Sequence, residues 1–242
     1  AGRTLTFSGS ASGSGGGTYT LASGSLVDLT AGTQTFTAGA DIAGAGLFRV
    51  SGGTMTVSAP MAADNLAFTG GTLNGAGTLT VDTSLTWSGG TMTGGGTTVV
   101  GSGASLTISG SQTLDGRTFT NNSASGLWTG NGTLTLHNGS VFNNATGAVL
   151  EAQGDGTLTQ NFNGQTFNNA GTFRKTTGTG TTTISAGGFT FNNTGTLDIQ
   201  SGSVAMSAVL NNSGAVTLAA GRTLTFSGSA SGSGGGTYTL AS

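Results

Sequence analysis

The chain contains no cysteine, so neither a disulfide framework nor a thiolate metal site is open to it. It has one histidine, His137, which rules out a multi-histidine metal site and leaves a catalytic triad little to build on. Charge is scarce as well. Asp, Glu, Lys and Arg make up 6% of the 242 residues, against about 25% in an ordinary soluble protein, and the net charge is −2. The six cations (Arg3, Arg49, Arg117, Arg174, Lys175, Arg222) are scattered, whereas a nucleic-acid partner calls for clustered Lys and Arg. No run of about 18 apolar residues marks a membrane span. The first residues carry no charged and apolar leader, so any export signal is expected to be removed or to lie outside this stretch.

What is abundant is glycine, at 48 residues, with serine and threonine around it. Such composition suits a flexible linker, but the order of the residues does not. Apolar residues fall at alternate positions in short runs: Leu5 and Phe7, Met55 and Val57, Leu85 and Trp87, Leu106 and Ile108, Leu134 and Leu136. Period two is the mark of a strand with one buried face. Helical spacing appears nowhere.

Residues 1–23 recur without a mismatch as residues 220–242, an offset of 220 − 1 = 219. Identity at a fixed offset marks a repeat architecture, so residues 1–219 read as one large repeat and 220–242 as the start of the next. A shorter period lies inside it. Gly followed directly by a four-residue strand occurs at Thr18, Leu47, Thr78, Thr97, Leu127, Ala148, Thr172, Thr196, Ala215 and Thr237, at spacings of 29, 31, 19, 30, 21, 24, 24, 19 and 22. Nine small units thus fill the large one. Each carries a second strand such as TLTF, TMTV or SLTI, and a third run ending on a large apolar residue, giving a core stack of Leu73, Met92, Phe142, Phe167, Phe191 and Leu210. The expected fold is all-β: a right-handed parallel β-solenoid over residues 1–242, with three short strands per coil and about nine coils per 219 residues. No coil buries its own inward residues; stacked coils share one core.

Asn pairs recur at one corner of five successive units, where Asn tolerates left-handed backbone and bonds along a stack. The expected ladder is Asn122, Asn144, Asn169, Asn193 and Asn212. This pattern of pairs and strands resembles the parallel β-helix of repetitive bacterial surface proteins, the filamentous-haemagglutinin-like adhesins and autotransporter passengers. The resemblance covers the whole chain and carries no catalytic motif. It implies the fold and an extracellular or cell-surface location.

Few residues suggest chemistry. The acids, Asp28, Asp41, Asp64, Asp82, Asp115, Glu151, Asp155 and Asp198, form no convincing acid–base pair of the kind polysaccharide-cleaving β-helices need. Glu151 and Lys175 hold the fourth position of adjacent strands and are expected to form a cross-coil ion pair. The only proline falls in APMAADNLA, which reads as a loop bulging from the solenoid with Pro60, Met61, Asp64 and Asn65 available for lateral contacts. Thr4/Thr6, Thr54/Thr56, Ser84/Thr86, Ser105/Thr107, Thr133/Thr135, Thr157/Thr159 and Thr181/Thr183 are expected to line one outward face. The sequence therefore points to a non-enzymatic structural repeat without cofactor, the shaft of an extracellular fibre or long adhesin. Its partners are expected to be further copies of the repeat, end to end, in a covalent array or as a head-to-tail oligomer. A carbohydrate- or ice-binding module using the Thr face or the side loops is the alternative.

Overall fold

The structure is a computed structural model and describes residues 2–10, 12–162, 164–185, 188–227 and 232–242. The described chain is a parallel β-solenoid without a helix. It runs round a triangle. The first face begins with the strands Thr4–Phe7, Leu26–Leu29 and Leu47–Val50, the second with Ser12–Gly15 and Thr33–Phe36, and the third with Thr18–Thr20 and Asp41–Ala43. Each strand pairs in parallel with its equivalents one coil before and after. The second face is an 11-stranded sheet of its own. The first and third merge into one 21-stranded sheet because Met61–Phe68 and Thr78–Trp87 run through the corner between them.

Alternation dictates this arrangement. In Thr54–Val57, Met55 and Val57 are fully buried while the threonines face outward, and the same burial pattern recurs in strand after strand. The glycine ahead of so many strands is explained by close stacking at the corner. A Cβ on Gly195 would lie 2.0 Å from the Gly171 carbonyl oxygen, and one on Gly214 2.1 Å from that of Gly195, so only glycine lets these backbones meet.

The core is one continuous column. Phe119, Phe142, Phe167 and Phe191 stack at centroid spacings of 4.8, 4.9 and 4.8 Å, and Trp87 caps Phe119 at 5.5 Å. Each such pair adds about 0.5–1.5 kcal/mol beyond its area burial. Leu210 continues this column in register with Phe191. Leu73 and Met92 do not belong to it. They pair with each other on the second face and continue as Leu114 and Leu136.

The coil count also differs from the sequence reading. From Thr4–Phe7 to its copy Thr223–Phe226 the chain takes 31 strand-to-strand steps, 30 − 1 along the strand order plus one for each of the two strands that cover two faces. At three per coil this is ten and one-third coils per 219 residues, not nine. The intervals of 29 to 31 residues each hide one or two additional strands. One of these intervals contains the expected loop. Met61–Phe68 is a continuous paired strand with Met61, Ala63, Leu66 and Phe68 turned inward, so APMAADNLA does not bulge; only Pro60 is exposed, at the corner ahead of it.

Candidate functional site

Among the described residues no cluster of three or more His, Asp or Glu could hold a metal ion. The polar side chains instead form rows along the solenoid axis. The most extensive is a double asparagine ladder on the third face. In the inner row Asn121 donates to Asn144 at 2.9 Å, Asn144 to Asn169 at 2.8 Å, Asn169 to Asn193 at 2.7 Å and Asn193 to Asn212 at 2.8 Å. The second amide hydrogen of each donor goes to a backbone carbonyl at the next corner, of Val149, Thr172, Thr196 and Ala215 respectively. Each amide thereby ties a coil to the next and a face to its neighbour, and the carbonyl contact fixes which way the amide points.

Asn122 is not a member of this row. Asn121 is, because the register sets Val100, Asn121 and Asn144 in one column. The first pair is offset by one residue from the other four, and a slip of one turns a side chain to the other side of the sheet. The outer row is a second ladder of opposite polarity. Asn168 donates back to Asn143, Asn192 to Asn168 and Asn211 to Asn192, at 2.8, 2.8 and 2.9 Å.

Two ion pairs lie along the middle of the first face. Arg49 holds Asp28 opposite it, with Ser51 on the other carboxylate oxygen at 2.7 Å; the Arg49 hydrogen bond keeps the Asp28 carboxyl below its usual range despite burial. The expected Glu151–Lys175 pair is not formed. The register places Glu151 opposite Arg174, which binds it, while Gln153 and Thr176 occupy its other oxygen, both at 2.8 Å. Together these donors, Gln153 foremost, hold the Glu151 carboxyl low. Lys175 is one residue on and points inward, fully buried. Its ammonium donates to Asp155 at 2.7 Å, to the Gly154 carbonyl at 2.7 Å and to Thr182 at 3.0 Å.

Arg117, one of the six scattered cations, is wholly buried. Its guanidinium donates to Thr98 and to the carbonyls of Gly75, Gly77, Thr93 and Thr97, at 2.9 to 3.2 Å, spanning three coils. Among the described residues no carboxylate pairs with it, and desolvation draws its pKa down to about 10. Both buried cations share the parity of a core neighbour, Arg117 with Phe119 and Lys175 with Phe173. That parity is the signal in the sequence that would have found them.

At the other expected sites, Asp64 accepts from the Gly44 amide at 2.6 Å and Asn65 donates to the Gly44 carbonyl at 3.0 Å, so both secure a corner. His137 ends a second-face strand and lies 3.2 Å from Asn161. The Thr-x-Thr pairs split between two faces. Thr4/Thr6, Ser84/Thr86 and Ser105/Thr107 are on the first; Thr54/Thr56, Thr133/Thr135, Thr157/Thr159 and Thr181/Thr183 are on the second. The second face does carry one unbroken outward file, Thr33, Thr54, Thr72, Thr91, Thr113, Thr135 and Thr159.

The ends of the solenoid are apolar. Leu5 is 50% exposed at the first coil, and Phe226, Tyr238 and Leu240 are 46%, 51% and 72% exposed at the last. No protein-family model, curated protein or solved structure matches this chain.

Proposed function

We propose that this chain is a stretch of the shaft of an extracellular fibre or long cell-surface adhesin, a non-catalytic solenoid in which 219-residue units follow one another end to end. One observation carries the reading. The duplicated 23-residue segment occurs twice, once with its following neighbour and once with its preceding one. As residues 1–23 it pairs with the coil that follows, and Leu21 is 4% exposed; as residues 220–242 it pairs with the coil before, and the counterpart Leu240 is 72% exposed. Conversely Leu5 lies open while its counterpart Leu224 packs against the core. A segment with both neighbours has both apolar sides covered. The low charge and the outward Thr and Ser leave the flanks neutral and hydrated, and the pattern-level resemblance to repetitive surface proteins supports the extracellular setting.

The test is a chain in which residues 24–242 are appended after Ser242, imaged by electron microscopy. The expected particle is one straight rod, lengthened by about 50 Å because stacked strands lie about 4.8 Å apart. Two rods joined by a bend at residues 220–242 would refute the shaft. The binding-module alternative draws its support from the file of seven threonines. Its neighbours two residues on, Asn74, Asp115, His137 and Asn161, interrupt any flat Thr lattice. Thermal hysteresis, or saturable glycan binding lost when Thr72, Thr91 and Thr113 are replaced by Val, would favour it.

A further inference from the structure

The two copies of the duplicated segment do not occupy the same sides of the triangle. In the first copy Thr4–Phe7 pairs with Leu26–Leu29 on the first face, Ser12–Gly15 with Thr33–Phe36 on the second and Thr18–Thr20 with Asp41–Ala43 on the third. In the second copy Thr223–Phe226 pairs with Ser203–Met206 on the second face, Gly232–Ser233 with Leu210–Asn211 on the third and Thr237–Leu240 with Ala215–Leu218 on the first. Every strand has moved on by one side.

The same positions nevertheless stand in inward register in both copies. Leu5, Phe7, Gly13 and Tyr19 pair with the buried Val27, Leu29, Gln34 and Ile42. Their counterparts Leu224, Phe226, Gly232 and Tyr238 pair with the buried Val204, Met206, Leu210 and Val216. The segment is thus packed with the same inside and outside in each place, and only its azimuth differs.

We infer that successive 219-residue units are related by one-third of a turn about the solenoid axis, so that a second copy of the unit continues the stack rotated by 120°. The inference rests on the end-to-end reading above. It follows from the 31 strand steps, which exceed ten full coils by one, and it gives the shaft a threefold screw on top of any gradual twist. Each unit advances about 10⅓ × 4.8 Å, roughly 50 Å, and the pattern of faces returns after three units and 31 coils, roughly 150 Å. A feature present once per unit, such as the outer Asn row, then looks out in three directions along the shaft. Lateral contacts between fibres are accordingly offered on all three sides.

Because the chain has no cysteine, paired substitutions report the register directly. The third of a turn depends on Met61–Phe68 and Thr78–Trp87 each turning a corner, since confining either strand to one side would cut the count to 30 steps, ten whole coils. Ala67 stands opposite Arg49 and Thr86 opposite Ala67 on the first face, while Thr72 stands opposite Thr54 and Thr91 opposite Thr72 on the second. Were Met61–Phe68 confined to the third face, Thr72 would take the place over Arg49; were Thr78–Trp87 so confined, Thr91 would take the place over Ala67. Neighbouring strands about 4.8 Å apart fall within disulfide reach. Mild oxidation followed by thiol counting should close R49C/A67C and A67C/T86C and leave R49C/T72C and A67C/T91C open. Closure of R49C/T72C or A67C/T91C, or failure of R49C/A67C or A67C/T86C to close, overturns the rotation. In the two-unit chain the same pairs separate the two ideas. A straight rod with R49C/T72C or A67C/T91C closed removes the screw and keeps the shaft, whereas a bend at the junction removes both.

Discussion

Replacing Asn121 by Ala tests the inner ladder at its first rung. The side chain is fully buried and serves three partners: it donates to Asn144 Oδ1 and the Val149 carbonyl, and accepts from the Ser123 amide, each at 2.9 Å. Alanine leaves all three unsatisfied in an interior closed to water. At about 1 kcal/mol for each orphaned group, the low end of the usual range, the loss is about 3 kcal/mol. That corresponds to roughly a 150-fold rise in the equilibrium for local opening. Hydrogen exchange is the suitable assay, since long stacks of coils need not unfold in two states. The Ser123 amide donates to the lost side chain and the Val149 amide donates to the Ser123 carbonyl at 2.9 Å, so both should lose about two decades of protection. Asn122→Ala is the control. Its backbone amide bonds to the Val100 carbonyl at 3.0 Å, which the substitution leaves intact, and its effect should stay within about 0.5 kcal/mol. Equal losses in the two variants would refute the register and with it the ladder.

Lys175 and Asp155 should respond asymmetrically: Lys175→Met leaves Asp155 its contact with the Gly180 amide and Thr182 its bond to the Gly154 carbonyl, so the urea midpoint should barely move. Asp155→Ala strands a buried ammonium and should cost about 3 kcal/mol; the reverse order would remove the clasp. Arg117→Lys replaces a five-donor fork by three donors on one atom and should cost about 2 kcal/mol by the same assay, an unchanged midpoint being the contrary result. Asp28, Glu151 and Asp155 all have carboxyls held below their usual values by their donors, Arg49, Gln153 and Lys175 foremost. The native state therefore releases these protons more readily than the unfolded chain, so their contribution is complete above the ordinary carboxylate pKa of about 4 and is lost as pH falls further. The urea midpoint should be level from pH 7 to about 5 and decline below that; a level profile down to pH 2.5 would contradict the pairing.

Strand alternation was enough to read the solenoid from the sequence, because burying every second residue leaves the chain few other folds. The phase between strands was harder to read. All three faces are built from the same polar-apolar-polar-apolar tetrads, so a motif can recur on a different face, and Thr78–Val81 on the third matches Thr196–Ile199 on the first. Corners of unequal length then shift the alignment by one residue. This moved the partner of Glu151 from Lys175 to Arg174 and the first rung from Asn122 to Asn121. Pro60 suggests a loop, yet the inward turn of Met61, Ala63, Leu66 and Phe68 outweighs it, with Asp64 and Asn65 at the corner through which this one strand runs.

The backbone bonds between coils run along the axis of the rod. A pull on its two ends therefore strains them in opening, not in shear, and coils would peel away one at a time. Each coil holds about 21 residues, 219 divided by ten and one-third, and releases roughly 65–70 Å of chain on unravelling. A shaft built in this way yields in steps and dissipates load instead of snapping. The Asn rows would make the later coils the more resistant. The glycine-rich segment of residues 12–17, where the inward position Gly13 has no side chain to pack, would be the first to give.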